Sequence, residues 1–93
     1  MKARKKPIEI DVWQVPEGDI LDAVAPTWVV DAIVAGLFAE IPNSDDFSVN
    51  TLEGRMTAHV GDYLAKGIDG ELYPIAKDIF ERTYGVVSND EKY

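Results

Sequence analysis

Residues 7–15, PIEIDVWQV, alternate apolar and polar positions. Ile8, Ile10 and Val12 point one way and Glu9, Asp11 and Trp13 the other, which predicts a half-buried strand. Pro16-Glu17-Gly18 ends it, and Asp19 to Ala25 is expected to make a short helical turn. Residues 27–38, TWVVDAIVAGLF, carry Val29, Ile33 and Leu37 at helical spacing. Val30 and Val34 widen that face, and Asp31 marks the wet side. Their length and alanines predict the main helix, with Thr27 as N-cap and Gly36 near its end.

Beyond the polar loop 42–46 the turn signals come quickly. Phe47 to Leu52 reads as a strand, Glu53-Gly54 as a tight turn, and Arg55 to Val60 as the returning strand. Gly61-Asp62 turns the chain into a strand from Tyr63 to Gly67. Asp69-Gly70 is a favoured two-residue hairpin turn, with Glu71 to Tyr73 as its second arm and Pro74 closing it. Ile75 to Glu81 suits a short helix, Thr83 to Val87 a last strand, and Ser88 to Tyr93 a polar tail. The expected fold is one α+β domain over residues 1–93. Its main helix packs on a bent antiparallel meander that resembles a small, partly open barrel.

Several matches fall in order along the second half: Thr51-Leu52-Glu53-Gly54, Met56-Thr57-Ala58, Gly61-Asp62-Tyr63, Lys66-Gly67, Gly70-Glu71, Tyr73-Pro74, and Ile79-Phe80 to Thr83-Tyr84. Ala3-Arg4-Lys5-Lys6-Pro7 opens the chain in the same manner. Together they resemble the PGDYG family of small phage and prophage proteins, over most of residues 1–15 and 51–87. In the naming motif Val60 replaces the proline and Leu64 the final glycine. The resemblance implies a phage or prophage origin and brings no catalytic residues.

Charge narrows the class of partner. Four of the nine basic residues are Lys2, Arg4, Lys5 and Lys6. From Pro7 onward five basic and seventeen acidic groups leave a net of −12. Such a body repels phosphate backbones, so direct nucleic-acid binding is not expected. The basic start reads as a solubilising arm. The absence of cysteine excludes disulfides, a thiol nucleophile and cysteine-based metal centres. No stretch approaches the ~18 apolar residues of a membrane span, and no targeting segment is read. A cytoplasmic location in the host cell is therefore expected, with no membrane partner.

The chemistry-bearing residues have structural readings. Gly61-Asp62-Tyr63 suits a capped turn. His59, the only histidine, is too little for a zinc site, and no metal or cofactor is expected. An enzyme or small-ligand site would have to be built from His59, Asp62, Tyr63 and Tyr73. Ser44 and Ser48 lack a nucleophile-elbow pattern. Trp13, on the face of Glu9 and Asp11, is expected to cover a secondary core or meet an interface. The expected function is therefore non-enzymatic binding to a host or viral protein with a basic surface, in the way anti-CRISPR-type inhibitors copy nucleic-acid charge. Asp31, Asp45 and Asp46 are the leading contact candidates, with Glu53, Asp69 and Glu71 a second set. The alternative is a virion or assembly accessory protein.

Overall fold

The computed structural model describes residues 1–3, 9–18 and 23–84. Among these residues eight elements follow in order: β1 (Asp11–Gln14), α1 (Thr27–Val34), β2 (Phe38–Glu40), β3 (Phe47–Thr51), β4 (Gly54–Ala58), β5 (Tyr63–Lys66), β6 (Leu72–Ile75) and α2 (Lys77–Thr83). The result is α+β, with two helices and two three-stranded antiparallel sheets of order β2-β3-β4 and β1-β5-β6. The expected meander thus divides between β4 and β5, and the described strands form no closed barrel.

The division follows from which faces are apolar. In β3, Phe47 and Val49 are buried while Asn50 is exposed, so the β2-β3-β4 sheet keeps one wet face. In β5, the consecutive Leu64 and Ala65 are both buried, so the β1-β5-β6 sheet is covered on both sides. The main core joins Trp13 and Val15 of the first strand segment to Val29 and Ala32 of α1, and to Phe38, Phe47, Val49, Ala58, Leu64 and Leu72. Phe38 is fully buried, stacked on Phe47 at 5.0 Å and met edge-on by Trp13 at 6.1 Å. Burying a phenylalanine side chain this way stabilises by about 2–3 kcal/mol. On the opposite face of the β1-β5-β6 sheet, Phe80 of α2 joins Ala65 and Ile75, with Ile10, Val12, Tyr63 and Tyr73 against them. Trp13 therefore lies in the main core, and the Ile10–Val12 face covers the smaller one.

Several expectations need correction. The main helix ends at Val34 rather than Phe38. Gly36, at φ 78, bends the chain into a Schellman ending: Leu37 N–H donates to the Ala32 carbonyl (2.9 Å) and Gly36 N–H to that of Ile33 (3.0 Å). Phe38 is then free to begin β2, a strand the periodicity hid. The N-cap is Pro26, without a side-chain cap, rather than Thr27. The buried face runs through Trp28, Val29, Ala32 and Ile33, while Val30 and Val34 are 45% and 82% exposed.

The β3–β4 turn residues are Leu52 and Glu53, with Gly54 opening β4 at φ 107. The β5–β6 hairpin closes on Gly67 N–H to Glu71 C=O (2.8 Å), so its turn is Ile68-Asp69-Gly70 rather than two residues. Pro74 lies inside β6, opposite Leu64. A proline fits there because β6 is an edge strand and its missing N–H leaves no central ladder bond unmade. The second helix begins at Lys77 and holds Thr83, so the expected strand from Thr83 does not start there. Its residues 85–87, and residues 19–22 of the expected helical turn, lie outside the described residues; Ala23 to Ala25 are not helical.

Candidate functional site

The turn from β4 to β5 is the junction of the molecule. Asp62 N–H donates to the His59 carbonyl at 2.9 Å, and Gly61 takes φ 93, a conformation costly for any other residue. The Asp62 carboxylate accepts the His59 N–H on Oδ2 (3.0 Å) and the Lys77 N–H on Oδ1 (3.0 Å). It caps the first turn of α2, where Ala76 offers no side chain to do so. The Val15 N–H reaches the Asp62 carbonyl at 2.8 Å, which prolongs the pairing of β1 with β5. Tyr63 then stacks on Phe80 at 3.9 Å. Gly61-Asp62-Tyr63 is a structural joint between both sheets and α2.

The register of β3 and β4 opposes Phe47 to Ala58. The next step sets Asp46 opposite His59, and the imidazole Nδ1 lies 2.9 Å from Asp46 Oδ1. The histidine pKa is raised above 6.5, first by this hydrogen bond and next by the Asp46 charge; burial opposes the shift and Asp62 adds to it. The loop leading to Asp46 is folded by its own residues. Ser44 Oγ accepts the Asp46 N–H at 2.8 Å, and Ile41 N–H reaches the Asp46 carbonyl at 3.0 Å. Beside it lies an open hollow of about 260 Å³, lined by Gly18, Glu40, Ser44, Asp45, Asp46 and Phe47. Three carboxylates thus share one opening, and one of them, Asp46, already holds the His59 imidazole.

The structure gathers only part of the expected contact set. Asp45 and Asp46 line the hollow, joined by Glu40, which no motif in the chain marked. Asp31 stands on the exposed side of α1, between exposed Val30 and Val34, and does not line it. Glu53 lies in the turn at the other end of β3. That is some ~17 Å away along a five-residue strand. Asp69 and Glu71 share the β5–β6 turn, where Glu71 Oε1 accepts the Asp69 N–H at 3.1 Å and ties the loop.

The set His59, Asp62, Tyr63 and Tyr73 is spread over other contacts. The imidazole pairs with Asp46 rather than Asp62, whose oxygens serve two backbone N–H groups. Tyr63 and Tyr73 pack against the smaller core. Burial, followed by Tyr84 and Glu71 nearby, raises the Tyr73 pKa above 10.0. Ser48 sits half-buried on β3 opposite Thr57, and Ser44 is occupied in its loop. Among the described residues no group of three or more His, Cys, Asp or Glu side chains is placed to hold a metal ion. None of their helices is long and apolar enough to cross a membrane.

No family model, curated protein or solved structure matches the chain.

Proposed function

We propose that this chain is a non-enzymatic binding protein of phage or prophage origin, which acts in the host cytoplasm on a protein partner with a basic surface. It occupies that surface as nucleic acid would, in the manner of an anti-defence inhibitor. The observation that carries this reading is the grouping of Glu40, Asp45 and Asp46 around one open hollow, on a chain whose net charge is −12 from Pro7 onward. A basic groove built for phosphates is drawn to such a surface, while nucleic acid itself is repelled. Exposed carboxylates of this kind speed encounter more than they tighten the final complex.

The test is capture from host lysate on immobilised protein, comparing the wild type with D45N/D46N. Retention of nucleic-acid-binding proteins that excess duplex DNA releases, and that D45N/D46N retains less, is the expected result. Retention unaffected by both the DNA and the substitutions overturns the reading.

A further inference from the structure

Asp46 has two neighbours of different kinds. It lines the hollow, and it holds the imidazole of His59 across the end of the β3–β4 pair at 2.9 Å. We propose that His59 and Asp46 form a proton-operated latch that fixes the β2–β3 loop against the β4–β5 turn and sets the charge of the acidic hollow. The inference rests on the binding role proposed above for that hollow.

Among the described residues, charged groups approach the ring from three parts of the fold. Asp46 faces it from the β2–β3 loop, Asp62 from its own turn, and Lys77 begins α2 beyond Asp62. The Asp62 oxygens bond the backbone N–H groups of His59 and Lys77 and act on the ring only through their charge, so Asp46 is the carboxylate that bonds the ring directly. An imidazolium makes a charge-assisted bond to Asp46. A neutral ring keeps at most an ordinary one, and only in the tautomer that carries its proton on Nδ1. With the histidine side chain 64% exposed, water competes for that weaker bond. Protonation therefore pins the loop and adds a positive charge beside Asp45 and Asp46. Attraction for a cationic partner falls as the pH drops. The raised pKa of His59 extends the latched state to higher pH than an unpaired imidazole would.

An NMR titration from pH 5.5 to 9 tests the latch without any partner. The amides of Ser44, Asp45 and Asp46 are expected to shift with the same midpoint as the His59 ring. D46N should bring that midpoint down toward 6.5 and uncouple the loop. An unchanged midpoint in D46N, or loop amides silent while His59 titrates, overturns the proposal.

A decalysine peptide at low ionic strength tests the charge of the hollow. It should bind about threefold more weakly at pH 5.5 than at pH 8, the Coulomb effect of one unit charge some ~6 Å away in water. H59Q should remove that pH dependence. Binding by the wild type that is equal at both pH values overturns the charge-setting role. A failure of decalysine to bind at either pH counts instead against the acidic hollow as a cation-binding surface, and the titration still decides the latch.

Discussion

Asp62→Ala removes one carboxylate that accepts two backbone N–H groups, from His59 and from Lys77, each at 3.0 Å. Losing a side-chain cap of this kind costs about 0.5–2 kcal/mol at each end it serves. Asp62 is only half-buried, so water recovers part of the loss. A total near 2 kcal/mol is expected for D62A and about 1 kcal/mol for D62N, which keeps one acceptor oxygen. Against the roughly 5–14 kcal/mol typical of a chain this size, that is a large fraction. Urea unfolding followed by the fluorescence of Trp13 and Trp28 measures it. Thermal unfolding should show a loss of about 8–16 °C in Tm for D62A. A D62A variant within 0.5 kcal/mol of wild type would refute the view that Gly61-Asp62-Tyr63 is a structural joint.

Phe38→Ala should cost about 3–5 kcal/mol in the same assay, because the ring is fully buried between Trp13 and Phe47. Gly36→Ala should cost about 1 kcal/mol although the space around it is open, since its φ of 78 disfavours any side chain. The stabilisation from the His59–Asp46 pair should be fully present below about pH 6.5, where even the unfolded histidine is protonated. It should fade as pH rises through the raised folded-state value, so wild type and D46N should converge in stability at alkaline pH. H59A should otherwise fold normally and keep its partner, read by circular dichroism and by capture.

The β3–β4 hairpin was legible because one face of it stays wet, while the short strand β2 of the same sheet was not. Phe47, Val49 and Asn50 alternate as a half-buried strand must, and the glycines at 54, 61 and 70 sit at or beside the turns they announced. Helix α1 was visible in its start and hidden in its end. Its apolar residues run on past Gly36 because Leu37 and Phe38 belong to a new strand that shares the same core. The first strand's alternation already set Trp13 toward a second covered face, but not which of the two faces belongs to the main core. Trp13 and Val12 are both apolar-facing, on opposite sides, and a single strand cannot reveal that α2 covers its second face.

At the candidate site, Asp45 and Asp46 were legible as a charged loop. Their pairing with His59 was not, because it depends on the β3–β4 register. A turn at Glu53-Gly54 would set His59 opposite Ser48. Moving the turn by one residue, to Leu52-Glu53, slides the strands by two and brings Asp46 to the imidazole. Glu40 reaches the hollow only through β2, the strand the periodicity concealed.

Association kinetics with the captured partner test the central claim most directly, measured by stopped flow from 50 to 500 mM salt. Steering by Asp45 and Asp46 predicts an on-rate that falls by about tenfold over that range, as the Debye length shrinks. D45N/D46N should start slower and show a flatter salt dependence, whereas neutralising Glu53 and Asp69 at the far ends of β3 and β5 should change less. An on-rate insensitive to salt, and equal in wild type and D45N/D46N, would contradict the account.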